Sequence, residues 1–243
     1  MTSVMPASPV VLLPGTGSDE VFVRSVFAGP LASVGLTPHT PTPPVGDALA
    51  CGYLAVLDRA AEDAGMPIVV GGISFGAHLA AEWATRNPAA CAGLLLAMPA
   101  WNGPPGDAPA SHAARHCAEL VDRHGLDAAL ARCTEGVPGW LATELDRAWR
   151  RHGAGLAAGL RAAGRHPGPD LDALATLPAP TGIATCVDDP VHPADVAWRW
   201  AAALPRASVV ETTLSTLGAD RESLGRATVL AWLRARSGVA GIR

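Results

Sequence analysis

The chain has 243 residues, 49% of them hydrophobic and 16% charged, with a mean hydropathy of +0.23. That is enough to bury one large α/β core or two small ones, and it leaves no case for disorder. The net charge of −4 comes without basic clusters, so there is no footprint for nucleic acid or an anionic membrane. All 18 basic residues are arginine, which excludes Schiff-base and phosphate-loop lysines.

Taken in chain order, the opening MTSVMPASPVVLLPG lacks a basic n-region and has only a short apolar run. It reads as neither signal peptide nor membrane span, and a cytoplasmic location is expected. Residues 10–13 form a strand pattern that ends at Pro14-Gly15. Residues 19–34 read as a helix, with apolar positions at Val23, Phe27 and Leu31. A short strand is expected near 36–40, then a proline-rich loop at 40–44. A helix follows over 47–64, with Asp47 as its N-cap. Residues 68–71 are β-branched and bounded by Pro67 and glycine, hence a strand. The helix over 75–85 stops at Asn87-Pro88, and 91–98 is the next buried strand.

Beyond Pro99 the texture changes. Residues 108–166 hold helices separated by glycine and proline and no strand pattern. Alternation resumes with a strand at 182–187, a helix at 194–203, a strand at 208–214 and a last helix at 220–236, with Asp220 as its N-cap. Strands repeatedly joined through helices predict an α/β fold, a mostly parallel central sheet flanked by helices. Residues 1–99 and 179–243 form that core. Residues 100–178 form a helical insertion, expected to lie as a lid above the carboxyl ends of the strands. The five cysteines (51, 91, 117, 133, 186) are odd in number and form no CxxC pair. They predict reduced, mostly buried thiols, with neither a disulfide framework nor a zinc site.

Gly72-Ile73-Ser74-Phe75-Gly76 has the form G-x-S-x-G, at a strand-to-helix junction. A serine at such a turn is forced into strained backbone angles, and flanking glycines remove the Cβ atoms that would clash. Its hydroxyl is lifted above the sheet beside a helix N-terminus, where developing negative charge is favoured. A nucleophile there needs oxyanion donors. One is the Phe75 amide. The other is the amide of Thr16, in the Pro14-Gly15-Thr16-Gly17 loop directly after the first strand. That loop is a poor dinucleotide fingerprint, because Glu20 stands where a third glycine belongs.

With these motifs the chain resembles the α/β-hydrolase superfamily over nearly its whole length. The resemblance implies a serine hydrolase acting on an ester, thioester or related carbonyl bond of a small, fairly apolar substrate, with no metal or organic cofactor. It also implies an acid in CVDDPVHP, with Asp189 first and Asp188 as the alternative, and a histidine that it orients as general base. The family's histidine follows the last strand, but here Gly218-Ala219-Asp220 carries alanine, and no histidine occurs after His192. His192, on the same loop as Asp189, is the first candidate. His78 follows the serine by one helical turn, and His112, His116, His152 and His166 lie in the insertion. Three readings stay open. A different histidine supplies the base, the hydrolase is weak or unusual, or the fold serves small-molecule binding or lyase or cyclase chemistry. Trp101 and Asn102, leaving the 91–98 strand, are candidate pocket residues. Trp140 and Trp149 fall on helices of the insertion.

Overall fold

Six parallel strands carry the architecture of the computed structural model, which describes residues 8–238. They are β1 (Val10–Leu13), β2 (Pro38–His39), β3 (Ile68–Ile73), β4 (Cys91–Ala97), β5 (Thr181–Cys186) and β6 (Ala207–Thr212), in spatial order β2-β1-β3-β4-β5-β6. Every residue of β1, β3 and β5 is buried, as strands covered on both faces require. Strand order reverses at β1, so the chain leaves β1 and β3 toward opposite sides. A crevice opens at their carboxyl ends, the place where such sheets bind ligands.

Helices α1 (Glu20–Ala32) and α11 (Glu222–Ser237) cover one face, burying Phe27, Leu31, Leu224 and Trp232 against Leu12, Val69 and Leu95. Helices α2 (Leu49–Ala64), α3 (Phe75–Arg86) and α9 (Ala194–Ala203) cover the other with Tyr53, Leu57, Leu79, Trp83 and Trp200. Between β4 and β5 come α4 (Pro109–His124), α5 (Leu126–Cys133), α6 (Gly139–His152), α7 (Leu156–Arg165) and α8 (Leu171–Leu174). Among these, Ala118, Leu130, Trp149, Leu156 and Leu160 build a small apolar core of their own.

Three expectations need correction. Helix α2 starts at Leu49 after a 3₁₀ turn over Gly46–Ala48, and Asp47 makes no capping bond. The last strand ends at Thr212, and Leu214–Ala219 forms a further helix, α10, whose N-terminus is capped by the Thr213 hydroxyl. Its leucines pack inward at i and i+3, a period that a strand reading hides.

The third correction concerns the cysteines. Cys117 on α4 is paired with Cys133 at the end of α5, with Cα atoms 6.3 Å apart, and Cys51, Cys91 and Cys186 are free. Odd number and irregular spacing hide a pair brought together by a helical hairpin. Burial pushes the Cys91 thiol up to about 11 and the Cys186 thiol up to about 12, so only exposed Cys51 is reactive. A thiol-disulfide dye should therefore report one fast thiol in the native protein and three after denaturation without reductant. Two further thiols should appear on reduction, and their presence before it would refute the pairing.

Candidate active site

The turn from β3 to α3 follows from its glycines. A Cβ on Gly72 would lie 2.4 Å from the Leu13 carbonyl oxygen, and one on Gly76 would lie 2.1 Å from the same atom. Only glycine lets β3 and α3 approach β1 this closely. Between them Ser74 adopts φ 53° and ψ −115°, outside the regions open to ordinary residues, and its amide donates to the Ala97 carbonyl at 2.8 Å.

The loop after β5 supplies its partners. Asp189 Oδ1 accepts from the amides of Val191 (2.7 Å) and His192 (3.2 Å), closing a tight Asx turn. That turn brings His192 Nδ1 to 2.8 Å from Asp189 Oδ2 and His192 Nε2 to 2.9 Å from Ser74 Oγ. With Nδ1–H donating to the carboxylate, Nε2 is the lone-pair nitrogen that faces the serine hydroxyl. Burial works against ionisation of Asp189. The hydrogen bond from His192, that ring's charge and the two amide bonds outweigh it and hold the carboxyl below its usual range.

Gly15 lies against the serine turn, where a Cβ would sit 3.4 Å from Ser74 Cβ. The Gly15–Ser18 turn closes through the Ser18 amide, and Gly17 at its third position has φ 63°. This leaves the Thr16 amide without an acceptor among the described residues, as is the Phe75 amide at the start of α3.

Ser74, Thr16, Asp189 and His192 open into a cavity of about 420 Å³. Its walls are mostly apolar. They include Phe22 of α1, Met98 after β4, Leu141 and Trp149 of α6, and Leu214 and Leu217 of α10. Its charged lining residues are Glu144, Asp189 and, when protonated, His192. Among the described residues no arginine lines it, and Met98 is the other non-glycine residue of positive φ, at 53°.

The remaining sequence candidates go elsewhere. Asp188 accepts from the Leu214 amide at 2.6 Å and so ties the β5 loop to α10 instead of meeting His192. Trp101 and Asn102 do not line the cavity. The chain after β4 turns back onto α3, where His78 Nε2 accepts from the amides of Ala100 (3.0 Å) and Trp101 (3.4 Å), and the Trp101 indole lies edge-on to His78. Complete burial drives His78 down to about 3, so it is a neutral structural acceptor. His166 contacts Glu82, His152 contacts the Ser18 carbonyl, and His112 and His116 are exposed on α4. Asp220 accepts from the Glu222 amide at 3.0 Å, and Ala219 beside it is exposed and outside the cavity. Among the described residues no group of three His, Cys, Asp or Glu could hold a metal, and no helix is long and apolar enough to cross a membrane.

Sequence comparison gives no match to a protein-family model or to a curated protein. Comparison of structures does. The chain superimposes on bromoperoxidase from Bacillus anthracis with a TM-score of 0.73 and 17% identity, over 94% of this chain and 92% of that one. It matches a thermophilic esterase from Thermogutta terrifontis with a TM-score of 0.67 and 20% identity, over 94% and 90% of the two chains. The match to MenH from S. aureus has a TM-score of 0.71 and 16% identity, over 97% and 96%. All are α/β-hydrolase fold proteins, and at this identity the likeness establishes that fold for the present chain.

Proposed function

We propose that the protein is a serine hydrolase that cleaves an ester, thioester or related carbonyl bond of a small, uncharged and largely apolar substrate. One observation carries the reading: the unbroken hydrogen-bond chain from Ser74 Oγ through His192 to Asp189, at 2.9 Å and 2.8 Å. In this reading His192 Nε2 takes the hydroxyl proton as Ser74 attacks the carbonyl carbon. Asp189 keeps the imidazole in the productive tautomer and stabilises it once it is charged. The Thr16 and Phe75 amides donate to the developing oxyanion. His192 returns the proton to the leaving alcohol or thiol, then activates a water to release the acyl group. Residues 100–178 act as the cap that shields this chemistry from bulk water. The similar structure from Thermogutta terrifontis is an esterase, which agrees with the reading.

The substrate class is supported by the cavity walls. Burying an anion beside Glu144 and Asp189, with no arginine to meet it, carries an uncompensated desolvation cost. A fluorophosphonate probe should label Ser74 and fail on Ser74→Ala. p-Nitrophenyl butyrate should be turned over with kcat/KM at least ~10-fold above that of the hemisuccinate ester. No labelling and no turnover across short acyl esters would rule the hydrolase out. Equal rates for the two esters would rule out only the substrate class.

A further inference from the structure

The loop that carries the Thr16 amide is held mainly by helix α6 of the insertion. Arg147 donates to Asp19 through two nitrogens, Nη2 to Oδ1 at 2.7 Å and Nε to Oδ2 at 3.1 Å, a paired geometry that fixes orientation as well as distance. One turn on, Arg151 donates to Asp19 Oδ2 at 3.2 Å and to Glu20. His152 Nε2 lies 2.9 Å from the Ser18 carbonyl, and a Cβ on Gly17 would lie 2.8 Å from Trp149 Nε1. Four residues of one helix thus meet four consecutive residues, 17–20, which end the loop and begin α1. The grip is deep at its centre: the Asp19 side chain is only 2% exposed. Asp19 also accepts from the Val21 and Phe22 amides, so a shift of its carboxylate moves the start of α1 with it. On its other side Arg147 pairs with Glu144, which lines the cavity.

We propose that Arg147 is a positioning residue. Acting through Asp19, it seats the Gly15–Ser18 turn so that the Thr16 amide meets the oxyanion, and the oxyanion site is complete only while α6 rests on that turn. The cap is then part of the catalytic apparatus as well as a cover. This rests on the serine-hydrolase reading above. An interaction felt only by the charged intermediate lowers kcat and kcat/KM together and spares KM. A misplacement of about 1 Å costs on the order of 10²-fold in rate.

The test measures Arg147→Met, Arg147→Lys, Arg151→Met and, as a surface control, Arg150→Met in the full-length protein. Readouts are kcat and KM for p-nitrophenyl butyrate, the inhibition constant of an alkyl trifluoromethyl ketone, and the thermal midpoint. Arg147→Met should lose ~10- to 100-fold in kcat with KM within ~2-fold, and should bind the ketone more weakly by the same factor. Arg147→Lys should recover part of the loss, since lysine keeps the charge without the paired geometry. Arg151→Met should lose ~3- to 10-fold and serves if Arg147→Met does not fold. Arg150→Met should match the parent. A lowered midpoint with kcat and ketone affinity unchanged would overturn the proposal, and so would a rise in KM at constant kcat. If the parent turns over ester and only the Arg147 effects are absent, this inference fails alone. If the parent neither turns over nor labels at Ser74, the hydrolase reading fails and takes this one with it.

Discussion

His192→Ala is expected to lower kcat for p-nitrophenyl butyrate by about 10⁴-fold or more, with labelling of Ser74 by a fluorophosphonate slowed to a comparable degree. The expectation follows from geometry. Of the eight histidines, His192 alone has a ring nitrogen in hydrogen-bonding contact with Ser74 Oγ. The most deeply placed alternative, His78, has its Nε2 lone pair occupied by two amides. A serine hydroxyl without a base is a poor nucleophile, and the residual rate would come from the oxyanion donors and binding alone. The double variant His192→Ala/Ala219→His sharpens the test. Position 219 is where the sequence resemblance leads one to expect a histidine, yet it lies exposed at the end of α10, outside the cavity. It should restore nothing. Unchanged labelling of His192→Ala, or rescue by the histidine at 219, would remove His192 from the mechanism.

The second large effect is expected at Gly76. Alanine there favours a helix by about 1 kcal/mol, so propensity alone predicts stabilisation. The fold decides otherwise. The added Cβ would lie 2.1 Å from the Leu13 carbonyl oxygen and 2.7 Å from that of Pro14, and both are backbone atoms that cannot turn aside. Helix α3 must move away from β1 or β1 must bend, at a cost of about 3 kcal/mol or more, which outweighs the propensity gain. Since α3 begins one residue after Ser74, the same displacement pulls the hydroxyl from His192, and the remaining folded protein should be inactive. Urea unfolding should show a lower midpoint with unchanged slope. Gly139→Ala is the control: nothing lies within 4 Å of its added Cβ and its φ is not positive, so stability should hold. Comparable midpoints for the two variants would refute the packing argument.

The fold and the serine were legible because local chemistry dictates both. Runs such as Ile68-Val69-Val70 suit only a strand buried on both faces, and Gly72-Ile73-Ser74-Phe75-Gly76 states a backbone requirement outright. The sequence also offered His192 beside Asp189, since three residues of one loop keep two side chains near each other. Other features depend on which helices meet, and no local pattern reveals that. The Cys117–Cys133 pair needs the α4–α5 hairpin. The contact between Arg147 and Asp19 joins residues 128 positions apart, one on α6 and the other at the N-terminus of α1. Trp101 misled because leaving a strand beside the crevice did not tell whether the chain would turn into it or, as it does, back onto His78.

The Asp189 turn has a consequence for how this machinery tolerates change. The proposed acid and base, Asp189 and His192, share one four-residue unit whose internal spacing is set by two amides of that same unit. Their mutual spacing therefore uses no bond from β6, α10 or α11, although the loop that carries them is tied to α10 through Asp188 and the Leu214 amide. Substitutions in β6 and α11 can thus leave the Asp189–His192 contact intact, while those in α10 reach the cavity wall through Leu214 and Leu217.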